Sequence, residues 1–304
     1  MNSFRKGRVP RKRKSSAPYV SGDSFLHLSD YAFLKNQETS VTYEKFEDVL
    51  VNCQKARVVI FVEASFLEDN KNVETVSSWV SRNKEILIEN CTLLIHNGDK
   101  LPNEEVLKAF SESFFQTYAV NSLTKNIGIE PLPIGLENRY LKKHGVGKEF
   151  LLNDDCCFHV NSPEVTQSTT LASFSITTNE SERRKLRGLI ERYNVNFVEP
   201  NLKPNEYRQL VKNNQFVLSP PGNGFDCHRT WEAMYLGAIP VVLKDYLHPQ
   251  LIEKFPILVT NKWEDFLKKT DNELKAIAYS FSGRKYPALA LDHWNDLFRN
   301  SSKT

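Results

Sequence analysis

The sequence predicts an α/β fold of two Rossmann-like, doubly wound domains. Three observations carry the prediction. Short apolar runs alternate with longer amphipathic stretches along most of the chain, the pattern of repeated βαβ units. One stretch, residues 216–243, reads as a complete unit of strand, Gly/Pro loop, helix and strand. The length, 304 residues, is long for one core and comfortable for two.

Composition narrows the class further. With 40% hydrophobic and 25% charged residues the chain resembles an ordinary soluble globular protein. No apolar run reaches the ~18 residues of a membrane span, and the start MNSFRKGRVPRKRKSS lacks the apolar core of a secretory signal. Five cysteines (Cys53, Cys91, Cys156, Cys157, Cys227) are odd in number and unpatterned, which fits free thiols in a reducing compartment better than a disulfide framework or zinc site. Residues 1–14 hold seven Lys/Arg and no acid, so the net +3 of the chain becomes −4 without them. Residues 1–18 therefore read as a disordered basic tail. Its stretch 5–14 is a candidate for peripheral contact with an anionic membrane, for nucleic acid or for an import receptor. Nucleic acid is disfavoured, because the body is acidic and lacks aromatic–basic interleaving.

In chain order, residues 19–23 lead into a helix-like stretch with Phe25, Leu28, Tyr31, Ala32 and Phe33 apolar, capped by Ser21 or Asp23. Asp23 is also a candidate for a domain cleft. Residues 57–62 predict a buried strand ending at a loop from Glu63, and 67–83 a helix. Residues 91–95 predict a second buried strand, with His96-Asn97-Gly98-Asp99 at its carboxyl end, the edge where parallel sheets form sites. A helix over 106–115 and strands over 117–120 and 129–134 follow. Residues 142–170 are loop-rich, with Gly145, Gly147 and Pro163 breaking any period, and place a domain boundary near 165. The domains are then 19–164 and 165–280. Residues 171–175 open the second as a strand, and a helix over 181–193 takes Ser181 as its cap. Arg183 and Arg184 in its first turn oppose the helix dipole, which hints at an anion, although exposed arginines are common. A strand at 196–198 and a helix at 205–211 precede the central unit; a strand at 257–259 and helices at 263–279 and 289–298 follow it.

In the central unit, the run 216–218 stops at Ser219-Pro220-Pro221-Gly222-Asn223-Gly224, where two prolines end ladder bonding and two glycines permit positive φ. A helix over 230–236 places Trp231, Met234 and Tyr235 on one face, and Gly237 is its C′ residue. Asp226, His228 and Arg229 fall in the loop and first turn, where free N–H groups favour an anion. Arg229 can fork two donors onto a phosphate, and Glu232 one turn later can accept from ribose hydroxyls. The plainer alternative is an Arg–Glu pair on a solvated helix; for His228 it is a helix cap. Neither a GK[ST] phosphate loop nor a GxGxxG spacing is present.

Pro221-Gly222-Asn223-Gly224, Arg229-Thr230-Trp231-Glu232 and Gly237-Ala238-Ile239-Pro240-Val241-Val242, in this order, resemble the donor-binding signature of exostosin-like (GT47-type) glycosyltransferases, especially their shorter bacterial and viral relatives. Weaker likenesses at 21–25, 96–99, 131–138 and 174–179 extend the resemblance from about Tyr19 to the end. It implies a GT-B fold of two domains facing a cleft, with 281–304 crossing back onto the first. It also implies a nucleotide-sugar donor, favouring a UDP-sugar, a glycan or other hydroxyl acceptor, no obligatory metal and no other cofactor, in a cytosol. The donor contacts it implies are Gly222, Asn223, Gly224, His228, Arg229, Thr230 and Glu232, with Ser175, Asn179 and Arg183 from the preceding segment. Negative charge growing on the leaving diphosphate would be met by Arg229, loop N–H groups and the helix N-terminus. For an inverting reaction the first choice of base is Asp99, with His96 beside it and Asp23 behind. Two rival classes stand beside this one: a nucleotide-sugar or glycan binder without a working base, and a nucleic-acid-associated protein addressed by its tail.

Overall fold

The computed structural model describes residues 13–35, 43–123, 128–141, 147–162 and 169–300. The tail residues 1–12, most of the candidate membrane-contact stretch, and the expected boundary at 165 lie outside them. The fold is mixed α/β with two parallel sheets, of five and four strands, compatible with two Rossmann-like domains. The chain divides into two compact units: Met1–Ile134 with Asn138–Tyr140 and Leu291–Thr304, and Gly135–Glu137 with Leu141–Ala290.

The first unit contains α1 (Gly22–Leu28), β1 (Tyr31–Phe33), α2 (Tyr43–Cys53), β2 (Val58–Glu63), α3 (Asn70–Arg82), α4 (Lys84–Asn90), β3 (Cys91–His96), α5 (Glu104–Ser111), β4 (Gln116–Val120) and β5 (Ile129–Leu132). All neighbours pair in parallel in the order β1-β2-β3-β4-β5. This corrects the doubly wound expectation, because the chain steps across the sheet in one direction only. Crossovers of one hand taken in one direction leave their helices on one face. Accordingly Val49, Trp79, Leu87 and Phe110 from α2 to α5 share one core with Val58, Ile60, Val62, Leu93 and Ile95. Period-two alternation sends Phe61, Thr92 and His96 to the other face. There α1 and the final helix, Leu291–Asn300, supply the cover. Phe25 meets Trp294 and Phe298, each at 5.7 Å between ring centroids, and the Thr92 hydroxyl donates to the Phe298 carbonyl.

Two expectations change here. The helix that starts at Gly22 ends at Leu28, and Tyr31–Phe33 is an edge strand, not its continuation. Residues 13–18 are not a loose tail. The Ser16 N–H donates to Ser24 Oγ, the Arg13 carbonyl meets His27 Nε2 at 2.7 Å, and the Pro18 carbonyl accepts from Leu291 N–H. These bonds make the segment part of the first unit.

The second unit contains β6 (Thr170–Leu171), α6 (Glu180–Arg192), α7 (Pro204–Lys212), β7 (Phe216–Leu218), α8 (His228–Tyr235), β8 (Ile239–Leu243), α9 (Pro249–Lys254), β9 (Leu258–Thr260), α10 (Trp263–Leu267) and α11 (Asp271–Phe281). Its sheet runs β6-β7-β8-β9, all parallel. The strand expected over 171–175 is reduced to Thr170–Leu171, with a single parallel bridge from Ala172 to Phe197. That bridge puts Phe197 on the side of β6 opposite β7, so the winding reverses at β6.

α8 is buried from Thr230 to Tyr235, and Gly237 follows it at φ 77°, the left-handed C′ position expected. Gly222 and Gly224 are not at positive φ, so the loop does not use the freedom expected of them. Residues 147–162 pack on this unit: Leu151 N–H donates to the Tyr235 carbonyl, Phe158 to Arg284 and Asn161 to Gly237. The chain therefore divides at 134–141, not near 165. Among the described residues no helix is long and apolar enough to cross a membrane.

Candidate functional site

In an open parallel sheet the crevice beyond the strand ends is widest where the winding reverses, and ligands bind there. In the second unit the reversal is at β6, between Phe197 and β7. Two loops leave the carboxyl ends of neighbouring strands at this point. Residues 173–179 run from β6 into α6, and residues 219–227 run from β7 into α8. Each helix carries an arginine in its first turn, Arg183 and Arg229. Strand pairing, not sequence distance, brings the two together.

Arg183 is 3% exposed. Its Nε donates to the Pro221 carbonyl at 2.8 Å and its Nη1 to the Ser175 carbonyl at 2.7 Å, so it braces one loop against the other. Arg229 lies alongside. The two Cζ atoms are 6.0 and 5.9 Å from the ring centroid of buried Phe174. Burial, and then the Arg229 charge, lower the Arg183 guanidinium to about 10. Among the described residues neither guanidinium is paired with a carboxylate. Arg208, the other buried arginine of this unit, has Glu149 at 3.4 Å. Two guanidiniums held close to one ring, with buried Glu232 acting on the same Tyr207 hydroxyl as Arg229, concentrate positive charge that would favour an anion. The first turn of α8 adds N–H groups: its N-cap, Cys227, makes no side-chain cap, and no acid lies in that turn.

The remaining candidates divide between ligand-facing and supporting positions. Asn179 donates from Nδ2 to the Gly222 carbonyl instead of capping α6, and Ser181 is inside that helix, not its cap. Arg184 is exposed and pairs with Glu180. Thr230 is turned inward on Ser219, hydroxyl to hydroxyl at 2.8 Å. The Ser175 side chain meets Thr177 while its carbonyl holds Arg183. His228 Nδ1 donates to the Gly135 carbonyl. Asp226 is buried and accepts from Trp231 Nε1 through both oxygens, at 2.9 and 3.0 Å. These side chains make the hydrogen bonds that hold the loop. Gly222 N–H donates to the Gly224 carbonyl, and a Cβ at Gly222 would lie 3.6 Å from Arg183 Nη2, so a side chain there would enter the space beside the guanidinium. Asn223 is exposed. Glu232 is only 6% exposed, which removes the solvated-helix alternative. Its charge and that of Arg229 both act on the Tyr207 hydroxyl, which burial raises well above the usual range. Tyr207, Phe174 and Cys227 are members of this cluster that local sequence pattern does not mark.

The first unit presents a different edge. Loops after β2 and β3 line an open pocket of about 720 Å³ through Ala64, Ser65, Glu68, Gly98, Asp99 and Lys100. Asp99 is exposed there. His96 is 1% exposed: Nδ1 accepts from Asn97 N–H at 2.7 Å and Nε2 lies 3.0 Å from the Pro133 carbonyl. Nδ1 also lies 3.0 Å from Asn97 Oδ1, so both ring nitrogens are engaged inside the fold, which argues against its reading as a base. Asp23 is fully buried. Arg13 bridges its Oδ1 at 3.3 Å to Glu63 Oε1 at 2.7 Å. Asp23 N–H donates to Asn138 Oδ1, and its Oδ2 has no partner. Burial pushes its carboxyl up from 3.8 to about 6 against the pull of Arg13. A carboxylate so enclosed does not reach an acceptor. Arg13 is thereby also withdrawn from the basic stretch expected to meet a membrane.

Among the described residues no three His, Cys, Asp or Glu side chains gather as a metal site. Compared with known proteins, the chain matches no family model and no curated protein, so the two-arginine cluster rests on its own geometry.

Proposed function

We propose that the chain is a glycosyltransferase of the exostosin-like, GT-B type. Its second unit binds the diphosphate of a nucleotide-sugar donor, with a UDP-sugar favoured, and its first unit takes a glycan or other hydroxyl acceptor. The observation that carries the reading is the pair Arg183 and Arg229, without a carboxylate between them, at the point where the sheet reverses. A diphosphate would bring the negative charge that this pair and the N-terminus of α8 favour. The guanidiniums would bind it more tightly as the glycosidic bond breaks and charge accumulates on the leaving group. Buried Glu232 supplies an acceptor for ribose hydroxyls. Asp99, exposed in its pocket, would take the acceptor proton as attack proceeds with inversion, while His96 and Asp23 serve the fold of that edge.

A nucleotide-sugar binder without transfer is the second reading, favoured by the internal engagement of His96 and Asp23. The experiment is a thermal-shift and calorimetric panel of UDP, GDP, CMP and UDP-sugars on wild type, Arg183→Ala and Arg229→Ala, followed by donor hydrolysis and transfer assays. At a hundredfold excess over Kd a ligand should stabilise wild type by about 2.7 kcal/mol. Each arginine variant should lose that response. A nucleotide that stabilises all three proteins equally would refute the arginine site, and binding with neither hydrolysis nor transfer would select the binder.

A further inference from the structure

Phe225 is 46% exposed, although it sits in a loop that is otherwise closely tied down. On one side Gly222 N–H bonds the Gly224 carbonyl, and on the other Asp226 is fastened to Trp231. Its exposure is therefore imposed by the anchored residues around it, not by slack. Single exposed apolar side chains are ordinary; what sets Phe225 apart is its neighbourhood. Its ring lies 6.1 Å from that of Tyr246 at an interplanar angle of 31°, a tilted pair. Tyr246 ends the turn Lys244–Tyr246 that follows β8. Its hydroxyl, raised by burial, faces the Glu182 carboxylate, and Glu182 adjoins Arg183 in α6. From the other side, Phe225 is two residues from Cys227, a backbone span of no more than about 7.6 Å, and Cys227 Sγ is 4.0 Å from Arg229 Nη1. The aromatic pair is thus bracketed by the two segments that carry the arginines.

We propose that Phe225 and Tyr246 form a stacking subsite for the nucleobase of a nucleotide whose phosphates meet Arg183 and Arg229. The inference rests on the donor-site reading above and adds the ring-recognition half of it. Anion-binding groups beside an exposed aromatic face match the two chemistries that a nucleotide joins in one molecule. A base offers a flat π-face to such a platform whatever its hydrogen-bonding edge. A lipid occupant would need a wide apolar surface, and charged Glu182 and Lys185 border Tyr246 instead.

The test compares UDP, pyrophosphate and a UDP-sugar by calorimetry on the full chain, using wild type, Phe225→Ala, Phe225→Tyr and Arg183→Ala. Phe225→Ala should weaken UDP about tenfold, equivalent to 1.4 kcal/mol, and leave pyrophosphate within twofold. Phe225→Tyr should keep UDP affinity, and Arg183→Ala should weaken both ligands. Equal weakening of UDP and pyrophosphate by Phe225→Ala, or unchanged UDP affinity, would overturn the stacking subsite while leaving the arginine site standing. Weakening of the UDP-sugar but not of UDP would assign the rings to the sugar and also overturn it. If pyrophosphate fails to bind wild type, the donor reading itself falls and takes the subsite with it.

Discussion

Replacing Asp23 by Asn should make the first unit more stable at neutral pH, and the gain should depend on pH in a specified direction. Asp23 is fully buried, has one oxygen without a partner, and ionises near 6 in place of 3.8. Burial is the main cause. Arg13 and His27 oppose it, and Glu63 adds to it. The folded chain therefore holds this proton more tightly than the unfolded chain. Wild-type stability from this group is fullest below pH 3.8 and is lost as pH rises to about 6, where the cost levels off. A difference of about two pH units at 1.36 kcal/mol each sets that cost at roughly 3 kcal/mol. Asparagine keeps an acceptor for Arg13 and cannot ionise, and Arg13 retains Glu63 at 2.7 Å, so no cation is stranded. Urea unfolding of both proteins between pH 4 and 7.5, followed by tryptophan fluorescence, isolates the effect, because other carboxyls cancel in the difference. The advantage of Asp23→Asn should be small at pH 4 and grow by roughly 2–3 kcal/mol by pH 7. An advantage that stays flat across that range, or shrinks, would refute the account of Asp23 as a desolvated carboxylate.

Other substitutions test separate parts of the structure. A Cβ at Gly22 would lie 1.8 Å from Asn97 Oδ1 and 2.7 Å from His96 Nδ1, so Gly22→Ala should destabilise by about 1–3 kcal/mol in urea. Asp226→Ala strands the buried Trp231 indole N–H; it should cost about 1–3 kcal/mol and weaken nucleotide binding with Arg183 and Arg229 intact. Asp99→Asn should lower transfer by about 10²–10⁴-fold and leave donor affinity within twofold; a transfer rate equal to wild type would remove Asp99 as the base.

Much of the fold was legible because its central strands are buried on both faces. Val58–Glu63 and Cys91–His96 are buried throughout and read as mostly apolar runs. Tyr31–Phe33 reads as helix because a three-residue edge strand follows α1 too closely for periodicity to separate them. The helix expected over 263–279 breaks after Leu267, and the capping box Thr270–Glu273 that restarts it is a signal the sequence does carry. Winding direction had no signal, since sequential and reversing sheets share the same alternation of strands and helices. The site shows the same limit. Arg229 and the dipole mismatch at Arg183 were each visible locally, but their meeting depends on β6 lying beside β7. Asp23 and His96 read as chemistry because burial and hydrogen-bond partners are not written in their neighbours.

The final helix, Leu291–Asn300, which completes the far face of the first unit with Trp294 and Phe298, has a consequence for synthesis. Domains generally fold in the order they leave the ribosome. Here the amino-terminal sheet emerges first yet lacks the cover for Phe25 and Phe61 until Leu291–Asn300 has emerged, whereas the later unit has all its strands by Thr260. Maturation should run backwards over residues 13–300, with the nascent amino-terminal unit held open until Leu291–Asn300 is free to dock. A fragment ending near residue 140 would expose that apolar face and be a substrate for chaperones, not an independent domain.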